Sequence, residues 1–262
     1  MSSIFVYPYG PSISSRVLSK SIQAKRIKRE NSKYIYSPSH SVINWGASSG
    51  PSFLSFALNK PEYVAVSSDK LKCFEKLKEG GLSPFIPAYT KGKGVAKEWI
   101  LEDGATIYVR SLLRSSQGRG ISVISDYRNI PDAPLYVKAI PVEREYRVHV
   151  FKDTIIHIAQ KKRMRKERLE ELNIVPNPLI KNKKNGYIFA HLELDGPPES
   201  LLNIARKAVS SLSLDFGAVD IGINSNDGEP VVFEVNSAPG LEGTTLEKYK
   251  EAFISYFLPI SL

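Results

Sequence analysis

One cysteine in 262 residues, Cys73, rules out an intramolecular disulfide framework and suits a reducing compartment. No apolar run approaches the roughly 20 residues of a membrane span, and the opening "MSSIFVYPYGPSISS" lacks the basic-then-apolar pattern of a secretory signal. These absences point to the cytoplasm. Nor is there a G-x-S-x-G nucleophile elbow, a Walker G-K-[ST], a glycine-rich Rossmann fingerprint, a histidine-rich metal pattern, an internal repeat or a low-complexity tract. Hydrophobic content of 42% and charged content of 24% are those of a globular protein. The net charge of +9 favours an anionic partner. Much of the excess is expected in two runs, "KKRMRKER" (161–168) and "KNKK" (181–184).

The most informative stretch is "VVFEVNSAPGLEGTT" (231–245), an apolar strand interrupted by Glu234 and Asn236. It is preceded by "GAVDIGIN" and by "NDG" at 226–228, a hairpin signal. Folding about that turn sets Asp220 opposite Glu234, and period-2 alternation puts Asn236 on the same face. Two carboxylates facing each other across a strand pair need a cation between them. Asp, Glu and Asn offer hard oxygen donors, which suit Mg²⁺ and not Zn²⁺. A nucleoside triphosphate is therefore expected nearby. An edge hairpin with one polar face in solvent is the plainer alternative, against which the small-residue loop "SAPGLEG" argues.

Upstream, "SIFVYPYG", "YIYS" and "SVINWG" read as strands around a helix in "PSISSRVLSKSIQAKRI", a small α/β unit. "SSDKLKCFEKLKEGG" is a helix capped by Ser68 or Asp69 and stopped by Gly80-Gly81. "SPFIPAYTKGKG" reads as a linker. "YVRSLLRSSQGRGI" (108–121) is strand, Ser/Gly loop, strand, with Arg110 and Arg114 offering charge; alone it suits an ordinary hairpin as well as a phosphate cover. "LYVKAI", "EYRVHVF" and "TIIHIAQKK" are further strands, and "PESLLNIARKAVSSLSL" is an amphipathic helix. His149 and His157 fit core positions.

Together these residues resemble the ATP-grasp superfamily, especially its carboxylate–amine ligases. "GAVDIG" with "VVFEVNSAPGLEG" is similar to the terminal signature of the ligases that add glutamate to a ribosomal protein. "SSDKLKCFEKLKEGGLSPFIP" resembles their Asp-Lys helix, "YVRSLLRSSQGRGI" their phosphate loop, and "YVKAIPVEREYRVHVF" their adenine hinge and arginine strand. The resemblance covers nearly everything after residue 65, and compact phage-encoded members are similar too, which makes a host cytoplasm one setting. It implies an α+β ATP-grasp fold with a small α/β N-terminal domain (1–66), a central lid with the phosphate loop (67–136) and a C-terminal antiparallel-sheet domain (137–262).

The same resemblance implies ATP and Mg²⁺ (or Mn²⁺), with Asp220, Glu234 and Asn236 as metal ligands. Lys138, Ala139 and Ile140 would line the adenine, Glu143 or Glu145 would meet the ribose, and Ser115, Ser116 and Gly118 would cover the phosphates. Arg110, Arg147 and Lys161 would neutralise the transferred phosphoryl group. Two departures stand out. Arg110 replaces the usual lysine, keeping charge but changing reach, and Lys138 stands where an acidic or amide residue is common. The implied activity joins a carboxylate, small or peptidic, to an amine through an acyl phosphate, and the two basic runs suggest an acidic co-substrate. An ATP-binding kinase-like or regulatory protein and a basic polyanion-binding protein remain open. Aromatics are scarce in the two basic runs, which argues against nucleic acid there.

Overall fold

The computed structural model describes residues 3–115, 118–191 and 196–258. The chain opens with β1 (Ser3–Pro8), α1 (Ile13–Ser21), β2 (Lys25–Arg26) and β3 (His40–Trp45). β1 lies in the middle of a three-stranded sheet, parallel to both neighbours. The Ser12 hydroxyl caps α1 by accepting from the Ser15 N–H at 3.1 Å. The strand expected at "YIYS" is not formed. β2 fills the edge beside β1, so residues 34–37 have no strand to pair with. Tyr34 and Tyr36 instead lay their rings against the sheet's outer layer, near Phe5 and Phe53.

Next come α2 (Pro61–Ser67) and α3 (Lys70–Leu77), the latter capped by Asp69, which accepts from the Lys72 N–H at 3.2 Å. The expected linker contains the short β4 (Tyr89–Thr90) and leads into α4 (Lys93–Asp103). β4 joins β5 (Ile107–Arg110), β6 (Ile121–Ile124) and β7 (Leu135–Lys138) in an antiparallel sheet ordered β4-β7-β5-β6. Its private core is Ala96, Ile100, Ile107, Val109, Ile130 and Tyr136.

The third sheet is antiparallel, ordered β10-β9-β8-β11-β12. It is built from β8 (Val142–Phe151), β9 (Thr154–Arg163), β10 (Tyr187–His191), β11 (Phe216–Asn224) and β12 (Pro230–Asn236), with α5 (Lys166–Glu171), α6 (Glu199–Ser211) and α7 (Thr244–Phe257) around it. One face carries Val148, Val150, Val219, Ile221 and Val232 and packs on α6 and α3 through Leu201, Ala205, Val209, Phe74 and Leu77. Each fully buried aliphatic side chain there is worth about 1.5–3 kcal/mol. Alternation then forces the polar residues of β8, β11 and β12 onto the opposite face. α7 covers the far end of that face, where Tyr249 and Phe253 join Trp45, Phe151 and Phe216 in a second core. Among the described residues, no helix is long and apolar enough to cross a membrane.

Candidate active site

Register places the key groups. Asp220 pairs with Glu234 across β11 and β12, and with Arg147 across β11 and β8. A bulge directly after Asp220 sets Ile221 against Val232, leaving Phe233 as the extra residue. Arg147 grips Asp220 in a two-point bond, Nε to Oδ1 at 2.6 Å and Nη2 to Oδ2 at 2.7 Å. The Asn236 amide donates to Glu234 Oε1 at 3.0 Å. The three residues expected as metal ligands are thus neighbours on one face.

Glu234 has a partner that pattern reading did not anticipate. Lys70, the first residue of α3, donates from Nζ to Glu234 Oε2 at 2.5 Å and is 6% exposed. A lysine in the first turn opposes the helix dipole, and this mismatch was the available signal that Lys70 serves something outside its helix. Burial pushes the Glu234 carboxyl up. Lys70, the Asn236 amide and Arg147 outweigh it and hold the group well below the usual range. Arg147 is likewise desolvated, yet Asp220 and Glu234 raise its guanidinium above its ordinary value.

The lid supplies a further cation. Alternation along β5 puts Tyr108 and Arg110 on its cleft side, opposite Ile107 and Val109 in the lid core. Arg110 Nε is buried without a hydrogen-bond partner. Burial lowers its guanidinium, against the pull of Glu234. The loop after β5 closes on itself: the Ser111 N–H donates to the Gly120 carbonyl at 2.9 Å, and Ser115 Oγ to the Arg119 carbonyl at 2.8 Å. Gly118 adopts a φ of +75°, and a Cβ there would lie 3.1 Å from Asn182 and Ile180. Tyr108 also donates to the Leu179 carbonyl at 3.0 Å. The loop is tied to α3 as well, through the Lys70 N–H to the Leu113 carbonyl at 3.0 Å and an Arg114–Asp69 pair at 3.6 Å.

Not every expected residue joins this cluster. Lys161 pairs with buried Glu145, and its ammonium lies 5.3 Å from the Phe189 ring, over which the Arg147 guanidinium stacks at 4.1 Å. Glu145, raised by desolvation against the pull of Lys161, is occupied by that lysine. Glu143 sits at a bulge opposite Asn224 and pairs with its neighbour Arg144 at 3.3 Å. Lys138 is not brought in. It pairs with Ile107 in register, hence points to the α4 side of the lid sheet, where Asp103 holds it at 2.7 Å. The Ala139 N–H is taken by the Thr106 carbonyl at 2.9 Å, whereas the backbone of Ile140 has no partner among the described residues. Ser116 lies outside the described residues. A surface recess of about 530 Å³ near Glu75, Glu79 and Tyr89 holds none of these groups.

In sum of charge, Lys70, Arg110, Arg147 and Lys161 face Glu145, Asp220 and Glu234. Lys70, Arg147 and Lys161 are each matched by a carboxylate, whereas Arg110 keeps a guanidinium nitrogen without a hydrogen-bond partner. Such a face accepts an anion. Among the described residues no three His, Cys, Asp or Glu side chains form a metal cage. Two carboxylates and an amide nevertheless fit a magnesium ion, which keeps several waters and shares phosphate oxygens.

No protein-family profile matches the chain. Among curated proteins it is similar to the ribosomal protein bS6–L-glutamate ligase of Shigella flexneri, 28% identical over 197 residues. It is 29% identical over 201 residues to a probable alpha-L-glutamate ligase 2 of Shewanella frigidimarina. Each match takes in 72% of this chain and 62% of the relative, so the chain spans less than two thirds of their length. Among solved structures, the ATP-grasp ligase PsnB complexed with minimal precursor superposes with a TM-score of 0.66 at 12% identity, over 97% of this chain and 99% of that one. D-alanine–D-alanine ligase from Bacillus anthracis gives 0.63 at 12% identity, over 98% and 94%. The fold is that of the ATP-grasp superfamily. Within it, the proteins this chain is similar to are the carboxylate–amine ligases, glutamate ligases among them.

Proposed function

We propose that the chain is an ATP-dependent carboxylate–amine ligase. The observation that carries this reading is the Asp220–Glu234–Asn236 cluster, ringed by Lys70, Arg110 and Arg147. In this reading residues 1–66 form the N-terminal domain, 67–136 carry the lid and 137–262 hold the metal face. A substrate carboxylate attacks the γ-phosphorus of ATP, ADP leaves, and an acyl phosphate forms. An amine then displaces phosphate to give the amide. A bound magnesium ion would be held by Asp220, Glu234 and Asn236 and would neutralise phosphate charge.

The chain's own side chains do the rest. Without nucleotide, Lys70 and Arg147 spend their charge on Glu234 and Asp220. With Glu234 and Asp220 engaged by a metal ion, Lys70 and Arg147 would be free to meet phosphate oxygens, so the same side chains would serve the metal and anion sites. Arg110 needs no release, because its Nε already lacks a partner. Ile140 offers a backbone N–H to the adenine, and Gly118 with its neighbours covers the phosphates. The basic segments 161–168 and 181–184 rim this cleft and suit an acidic co-substrate.

The test is an Mg²⁺-dependent ADP-release screen over amino acids, peptides and small carboxylates, with mass spectrometry of products. ADP release accompanied by a product one water lighter than its two substrates supports ligation. A phosphorylated product with no condensation favours a kinase-like protein. No Mg²⁺-dependent nucleotide turnover with any substrate overturns the reading.

A further inference from the structure

The excess positive charge is not where the two basic runs suggest. Residues 1–60 contain eight lysines and arginines against one acid, Glu30, so seven of the nine net charges reside there. Acids elsewhere in the chain nearly cancel the runs at 161–168 and 181–184. Five of the eight cations crowd into nine residues: Lys25, Arg26, Lys28, Arg29 and Lys33. All five are exposed, and none forms an ion pair among the described residues; Arg29 donates to the Tyr9 carbonyl at 2.5 Å. Two of them, Lys25 and Arg26, are the edge strand β2. Like charges packed this closely repel, and no ion pair among the described residues offsets them.

Beside them lies a stack of rings. Ile27, set among the cations, belongs to the same small core as Phe5, Tyr7 and Val42, and Tyr34, Tyr36 and Phe53 pack on it. Tyr36 is parallel to Phe56 (centroids 5.1 Å apart, 10° between planes) and to Phe53 (6.5 Å, 4°). Phe56 is 69% exposed. Three near-parallel rings with an open outer face, next to five unpaired cations, combine the two features that bind single-stranded nucleic acid: flat platforms for bases and charge for the phosphates between them.

We infer that the outer face of the N-terminal domain is a binding surface for single-stranded nucleic acid, with a base stacked on the open face of Phe56, which Tyr36 backs, and the backbone tracking Lys25, Arg26, Lys28 and Lys33. An acidic peptide would satisfy the charges but would leave the open ring faces without a planar partner. The surface is separate from the Asp220–Glu234 face, and the inference does not rest on the ligase reading.

The experiment is fluorescence-anisotropy titration of the full chain with labelled dT12 and U12 and with labelled poly-L-glutamate, over a series of salt concentrations. The triple variant Lys25→Gln, Arg26→Gln, Lys28→Gln is expected to flatten the logarithmic salt dependence by about two. Phe56→Ala, with an already exposed side chain, is expected to weaken oligonucleotide binding roughly five- to a hundredfold, with no effect on Mg²⁺·ATP binding. A control variant, Arg163→Gln with Arg165→Gln, is expected to bind as wild type. Preference for U12 or dT12 tells RNA from DNA. Poly-glutamate bound as tightly as the oligonucleotides, oligonucleotide affinity indifferent to Phe56→Ala, or no oligonucleotide binding at low salt would each overturn the proposal.

Discussion

At the scale of single residues, the cleft is organised around carboxylates already held by cations. Lys70 and Glu234 make the sharpest case, since neither has another strong partner of opposite charge at hydrogen-bond distance. Lys70→Met keeps the length and apolar stem of the side chain but leaves Glu234 facing the Asn236 amide and the more distant Arg147 and Arg110. It is expected to destabilise the fold by about 1–3 kcal/mol, the cost of a desolvated group losing its charged partner. It is also expected to weaken Mg²⁺·ATP binding at least tenfold. Glu234→Gln tests the other half. Its amide preserves shape and removes the anion, so the magnesium-dependent part of the calorimetric signal should vanish while the protein still melts cooperatively. A Glu234→Gln variant with unchanged magnesium dependence would remove Glu234 from the metal site. Unaltered nucleotide affinity in Lys70→Met would show that this lysine serves only stability.

At the scale of elements, the site depends on how the N-terminal sheet is locked to β11. Asn59, in the left-handed region at φ +58°, accepts from the N–H groups of Asp215 (2.7 Å) and Phe216 (3.2 Å) and donates to the Phe216 carbonyl at 2.9 Å. Its own N–H reaches Asp215 Oδ2 at 2.6 Å. Asn44 then donates to the Asn59 carbonyl at 2.7 Å and closes the turn at Gly46, where a Cβ would come within 2.5 Å of Ala238. Asn59→Ala strips three hydrogen bonds, two of them buried, and is expected to lower stability by about 2–4 kcal/mol, read by urea denaturation. Gly46→Ala, strained at φ +82° as well as crowded, should shift the "SAPG" loop and reduce turnover more than stability. The β11–β12 hairpin was legible because its turn, alternation and paired carboxylates all agree. After β3, the turn at Gly46 is fixed by Asn44, whose side chain braces the Ala47 backbone. α4 was hidden by the glycines at its start, and β10 by charge and asparagine just before it. Lys138 read as a cleft residue because sequence shows which strand a residue occupies, not which face its neighbours cover.

At the scale of the whole molecule, positive charge shapes the response to pH. Three of the four histidines meet on the far end of the polar sheet face: the rings of His149 and His157 lie 5.4 Å apart, and those of His157 and His191 5.1 Å apart. α7 lies over the buried His149 and His157, with Tyr249 hydrogen-bonded to His149 Nδ1 at 3.3 Å, while His191 is exposed. Burial, then the neighbouring His191 and Lys248, push His157 down to about 4 from an ordinary 6.5. Burial, then Arg147 and His157, also hold His149 well below its ordinary value. Both are therefore neutral in the folded chain across the range where an unfolded chain takes up protons. Below pH 6.5 the unfolded state binds more protons, so stability falls as pH drops from 6.5 toward 4. His157 alone is expected to contribute on the order of 1–3 kcal/mol to that fall. Glu234 acts lower: its depressed carboxyl stabilises the fold above about 4.5, and this contribution fades as pH falls further. The two windows separate the groups. His157→Gln should lessen the fall in melting temperature between pH 6.5 and 5, leaving the share due to His149, and keep the loss below 4.5, whereas Glu234→Gln should keep the first fall and lessen the second. A wild-type melting temperature that stays level from pH 7 to 5 would mean that protonated histidines are tolerated beneath α7, and that this end of the sheet is open to water.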